Sequence, residues 1–221
     1  MAAYDLEEQE QLAQLKAFWA RWGGLITWAL TAALLSYAGW QGWQYWQNRQ
    51  ALQAAALLDE LEQGAQAGDA ARVQRALADL QAQAGRTAQA RLGALVAARS
   101  LAEAERADEA RAALRFVIGR RDDDEIAAVA RLRLAGLALD AGQLEEAQRL
   151  LDAPVPAAFE PWRADRLGDL RQRQGQAEAA REAWLKAWRG LDGDVGWRGI
   201  VEAKLNALGV DPGASQGGQQ P

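Results

Sequence analysis

Histidine and cysteine are both absent from the chain. That removes the usual general base, the usual zinc ligands, thiol nucleophiles and any disulfide framework. It does not fix a compartment, because a cysteine-free protein suits oxidising and reducing surroundings alike. Proline is scarce, at 5 of 221 residues, and β-branched runs are few, which favours an all-helical fold. With only three phenylalanines and three tyrosines, the 50% hydrophobic content rests mostly on alanine and leucine. There is no basic surplus: the net charge of −5 argues against nucleic acid, whose phosphates need a basic face. Glycine-rich phosphate loops, G-x-S-x-G elbows and H-E-x-x-H motifs are also missing. Carboxylate pairs such as Glu145-Glu146 fall on a polar helix face, and Asp165 with Arg166 reads as a surface pair. No catalytic, cofactor-binding or metal-binding residue is therefore expected, and no small-molecule substrate.

Tryptophan is what the chain has in excess. Of its 10 tryptophans, Trp19, Trp22, Trp28, Trp40, Trp43 and Trp46 crowd into one short stretch. A membrane interface favours such crowding, because indole is apolar in its body while its N–H seeks water. No charged residue occurs between Arg21 and Arg49, and Gly23–Trp46 is long enough as a helix to cross a bilayer. Trp22 and Trp40 would stand about 27 Å apart on that helix, close to the hydrocarbon thickness. A cleaved signal peptide fits poorly, since Asp5, Glu7, Glu8 and Glu10 precede the apolar run in place of a basic region. An interfacial helix would need a charged face, which Leu25–Leu35 lacks. The expectation is a single transmembrane helix with Trp19, Trp22, Trp40, Trp43 and Trp46 as interface anchors. Lys16, Arg21 and the free amino terminus precede it and only Arg49 follows closely, so the positive-inside rule puts the N-terminus in the cytoplasm.

Beyond Trp46 the helix continues as a stalk until Gly64–Asp69, where two glycines precede an aspartate suited to capping the next helix. At Arg120–Glu125, arginines end one helix and acids begin another, which suits both macrodipoles. Asp122 and Glu125 have capping-box-like spacing, and nothing nearby adds the oxygen ligands that calcium needs. Helix pairs then recur. Leu134-Ala135, Gly142, Ala147 and Leu151 correspond to Leu167-Gly168, Gly175, Ala180 and Trp184, 33 residues later. That is close to the period of the tetratricopeptide repeat, in which small residues let paired helices approach and a glycine permits the turn. A weaker copy covers Arg91–Ile118 with Ala98 and Ala110 at matching offsets but no turn glycine, and Asp69–Ala84 reads as a more degenerate unit. Ala110, Ala147, Gly168, Ala180 and Trp184 are the expected helix-packing positions. Trp188 and Trp197 suit either the core or a partner surface.

The expected fold is all-α, a single N-terminal transmembrane helix followed by a tetratricopeptide-like helical-repeat solenoid. Its expected division is an acidic cytoplasmic segment at 1–22, the span at 23–46, the stalk at 47–68, repeats at 69–208 and a disordered tail at 209–221. Such repeats stack to bury apolar faces that none can bury alone, leaving a groove for a partner.

Taken together, these features resemble the YfgM-type ancillary subunits of the SecYEG protein translocon. The most specific part is N-terminal: Tyr4, Glu7-Glu8-Gln9-Glu10, Leu15-Lys16-Ala17-Phe18-Trp19 and Gly23. The exit Gly39-Trp40, Trp43 and Tyr45-Trp46 adds to it. The resemblance implies a non-enzymatic, single-pass inner-membrane protein with its C-terminal domain in the periplasm. It implies, as partners beside the lipid bilayer, the SecYEG translocon and periplasmic chaperones that receive emerging polypeptides. A membrane-tethered scaffold for another cell-envelope complex would use the same anchor and repeats.

Overall fold

The computed structural model describes residues 2–119 and 124–213. The capping arrangement expected at Arg120–Glu125 therefore lies mostly outside the described residues, although Asp124 and Glu125 do open a helix there. Residues 214–221 of the expected tail lie outside them too. Nine α-helices are present among the described residues: α1 (Ala2–Gln66), α2 (Ala70–Ala84), α3 (Ala88–Glu103), α4 (Ala107–Ile118), α5 (Asp124–Asp140), α6 (Leu144–Asp152), α7 (Glu160–Arg173), α8 (Ala177–Gly190) and α9 (Val195–Ala207). The chain divides into two units at Leu52/Gln53.

The first unit is helical from Ala2 to its end at Leu52. Among its described side chains most of the large apolar ones are exposed, with Trp28 78% and Leu35 69% exposed. The five expected interface anchors, Trp19, Trp22, Trp40, Trp43 and Trp46, are exposed as well. Judged by hydropathy, no helix among the described residues is long and apolar enough to cross a membrane. The expected span at 23–46 does not meet that measure, because Thr27, Trp28, Thr31, Ser36, Tyr37 and Trp40 all lower its average hydropathy.

The second unit is a stack of helix pairs, and its register is set by one turn used repeatedly. Gly68, Glu105, Gly142, Gly175 and Gly209 all have positive φ, between 60° and 75°, and follow one another at 33 to 37 residues. Each closes a helix through the same two bonds. At Gly142, for example, its N–H donates to Leu139 O at 2.9 Å and the N–H of Gln143 to Ala138 O at 2.8 Å. This is a left-handed helix stop that satisfies two otherwise orphaned carbonyls. The copy over Arg91–Ile118, which lacks a turn glycine, keeps the turn by holding Glu105 at φ 60°. A side chain in that region costs about 1–2 kcal/mol relative to glycine. Glu105→Gly should accordingly stabilise the protein by about 1 kcal/mol in denaturant unfolding; an unchanged or lower midpoint would contradict a strained turn.

Five residues after each of the first four turns, Val73, Ala110, Ala147 and Ala180 are all 0% exposed. Val73 and Ala110 lie in one buried core, Ala147 in a second and Ala180 in a third. Nine residues after the turns, Leu77, Leu114, Leu151 and Trp184 are buried too.

The first pair is where the expected boundaries change. Ala54 and Leu61, placed in a stalk, are 0% exposed and share a core with Val73, Leu77 and Leu80. A Cβ on Gly64 would sit 3.3 Å from the backbone of Val73. The last turns of α1 are thus the first helix of the first pair, and α2 is its partner. The chain enters that helix already helical, so no start signal announces it. Val210, placed in the expected tail, packs on the core formed by α7, α8 and α9. Three overlapping cores run along the stack, with Leu150 packed against the first two and Trp162 against the last two. Repeats of this kind derive their stability from such nearest-neighbour interfaces.

Candidate partner-binding groove

The first helices of successive pairs, α3, α5 and α7, touch one another as well as their own partners. They and the cap helix α9 line three adjoining cavities of about 230, 370 and 250 Å³, all bordered by Arg166. One end is apolar and aromatic. Val129, Leu132, Phe159, Trp162 and Trp197 form its walls, with the Phe159 and Trp162 rings 5.9 Å apart. The Arg166 guanidinium lies 5.6 Å from the centre of the Trp197 ring, within cation–π range.

The groove carries four arginines and three acids, and the pairing among them is explicit. Arg99 bonds Glu103 at 2.8 Å, Arg173 bonds Asp140 at 3.0 Å, and Arg166 bonds Asp169 at 3.1 Å. Arg133 is the exception. Its guanidinium donates to Leu95 O at 3.1 Å and has no carboxylate partner among the described residues. Burial first, and the neighbouring Arg99 charge second, push its pKa below the ordinary arginine value.

Under the aromatic end lies a buried ionic cluster that sequence reasoning missed. Asp165, read as a surface residue, is 0% exposed. Lys204, from α9, reaches Asp165 and Asp169 at 2.6 Å each. The indole N–H of Trp197 donates to Asp165 Oδ2 at 3.2 Å, and that of Trp184 to Asp165 O and Asp169 Oδ1, each at 3.2 Å. Asp165 occupies the register held by the buried Leu95 and Leu132 in the two preceding pairs. An acid at a leucine position, with a lysine in the cap helix, was the signal available. A buried charge must be paired and hydrogen-bonded to be tolerated, and this one is. The cluster fastens the cap to the last pair.

The remaining expected positions fall as follows. Gly168 and Trp184 are in direct contact, with a hypothetical Cβ on Gly168 only 2.3 Å from the indole. Trp188 is a core residue: it is 5% exposed and Arg198 lies 3.9 Å above its ring, so it offers no partner surface. Covering by α9 is the physical reason. Trp197 alone of the two lines the groove. Among the described residues, no group of three or more Asp or Glu is placed to hold a metal ion.

Comparison with known proteins agrees with this architecture. Residues 16–210 match the family model described as a tetratricopeptide repeat-like domain. The chain is 30% identical over 209 residues to an ancillary SecYEG translocon subunit of Neisseria gonorrhoeae, covering 94% of this chain and 100% of that protein. It is 29% identical over 206 residues to a protein of the same name from Haemophilus influenzae, covering 93% of this chain and again 100% of the relative. With its repeat turns, small packing residues and full-length likeness to both, the chain belongs to the tetratricopeptide repeat-like family that contains these ancillary translocon subunits.

Proposed function

We propose that the chain is a non-enzymatic ancillary subunit of the SecYEG translocon. It is anchored in the inner membrane by residues 23–46, and its repeat groove serves periplasmic chaperones or emerging polypeptides. The observation that carries this reading is the extent of the likeness. The family match begins at residue 16, ahead of the apolar helix, so it takes in that helix as well as the repeats.

The physics of the first unit supports an anchor. A helix that is apolar all round, without a polar seam, needs an apolar surround. Its low average hydropathy overstates the cost of insertion. The Thr27 hydroxyl donates to Gly23 O and that of Thr31 to Thr27 O, both at 2.8 Å, so neither enters the bilayer unsatisfied. Tryptophans at both ends are at home in the headgroup region although hydropathy counts them as polar. The charge balance around the helix favours a cytoplasmic N-terminus and a periplasmic repeat domain. Tethering would raise the groove's effective concentration for chains leaving the channel.

Leu34→Arg, near the middle of the helix, should cost about 2.5–3.5 kcal/mol of insertion free energy. Alkaline extraction of membranes should then release much of the protein; full retention would argue against a span here. Photo-reactive residues at Leu30 and at Glu103, which is exposed on the groove rim, test the function directly in intact membranes. Adducts from Leu30 to the channel and from Glu103 to periplasmic proteins are expected. Adducts confined to another envelope assembly would remove the translocon reading.

A further inference from the structure

We infer that the groove takes an extended peptide segment in which a carboxylate neighbours an aromatic or large apolar side chain, with the carboxylate on Arg133. This rests on the reading of the repeat domain as a partner-binding module and adds the chemistry of its ligand. The argument is one of charge complementarity inside an otherwise acidic molecule. Lys204 is held between Asp165 and Asp169, Arg166 shares Asp169 with it, and Arg99 and Arg173 each face an acid of their own. Arg133 faces none among the described residues, and it borders both the aromatic cavity and the larger one beside it. Its bond to Leu95 O uses one nitrogen and fixes the side chain's position. A guanidinium has five donors in a planar fork, so enough remain for a carboxylate.

The neighbouring walls set the second half of the specificity. Phe159, Trp162 and Trp197 are each half-buried, with apolar faces still open to the cavity. Residues of an extended strand alternate in direction, so an acid and a nearby aromatic residue can address Arg133 and this wall together. A basic segment meets the uncompensated cation and is disfavoured. A purely apolar segment gains the wall but leaves Arg133 without its carboxylate.

The test uses the full chain in detergent micelles. Fluorescence anisotropy compares two fluorescein-labelled, end-blocked peptides, Ala-Leu-Asp-Trp-Glu-Phe-Ala-Gly and its neutral twin Ala-Leu-Asn-Trp-Gln-Phe-Ala-Gly. The acidic peptide should bind about tenfold or more tightly than its twin, as a charged hydrogen bond allows, and added salt should narrow the gap. Arg133→Gln should abolish the preference while leaving the neutral peptide unchanged. Arg149→Gln, exposed on α6 away from the groove, should keep the preference, and circular dichroism should show both variants folded. Equal affinity for the two peptides, a preference that survives Arg133→Gln, or no binding of either overturns the inference. Channel adducts from Leu30 are read independently of all these results, so the inference can fail while the translocon reading stands.

Discussion

Replacing Lys204 with methionine should lower the stability of the repeat domain by about 3–5 kcal/mol, because it leaves a buried carboxylate without its cation. Asp165 is fully enclosed and has no route to water, whereas Lys204 keeps 24% of its side chain exposed, which favours the lower end of that range. Asp169 would suffer less, since Arg166 remains beside it at 3.1 Å. The informative partner is the double change Asp165→Leu with Lys204→Met. It gives the last pair the leucine that Leu95 and Leu132 supply in the two pairs before it. Well-packed apolar replacements of buried ion pairs are often neutral or stabilising. The double variant should therefore recover most of the loss, apart from the acceptor taken from the Trp197 indole. Denaturant unfolding of the full chain in detergent, followed by circular dichroism, measures both. A double variant as unstable as the single one would mean that the cluster does more than fasten the cap. If recovery occurs, the ions contribute register between α7 and α9 more than net stability.

Gly168→Ala should be nearly as damaging as many core truncations. The added methyl would lie 2.3 Å from Cδ1 and Nε1 of Trp184, and overpacking of this kind costs about 1–3 kcal/mol. Displacing the indole would also strain its bonds to Asp165 O and Asp169. The earlier pairs solve the same contact differently, with Ala98 beside Leu114 in one core and Ala135 beside Leu151 in another. The last pair trades a smaller residue on α7 for a larger one on α8. Combining Gly168→Ala with Trp184→Leu should accordingly cost less than the sum of the two changes, with a coupling of about 0.5–3 kcal/mol. Strict additivity in thermal or denaturant unfolding would show that the two residues do not share one contact.

Much of the repeat architecture could be read directly from the residues. The 33-residue offset between Gly142 and Gly175, and the small residues at Ala147, Gly168 and Ala180, all reflect short-range geometry that a turn and a close helix contact impose. What escaped reading depends on contacts distant in the chain. Glu105 carries no local sign that it adopts a glycine-like φ; only the helices it connects require it. The first pair was hidden because its first helix is continuous with the apolar segment. Asp165 looks like any acid on a polar helix until α9 is folded over it, and the same covering turns Trp188 from a candidate surface into core. Arg133 becomes distinctive only after the neighbouring arginines have found their acids.

The repeated left-handed turn also determines where this stack can change length. From each of Gly68, Glu105, Gly142 and Gly175 the chain takes one further residue and is helical again. That hairpin has no slack, since its backbone bonds close a ring of fixed size. The connections on the opposite side vary, from a short link before α3 to the longer one before α7 with its 3₁₀ turn Ala157–Phe159. Insertions and deletions during divergence can accumulate on that side without disturbing helix register. A repeat protein built this way ages asymmetrically: one edge is held constant by stereochemistry while the other drifts.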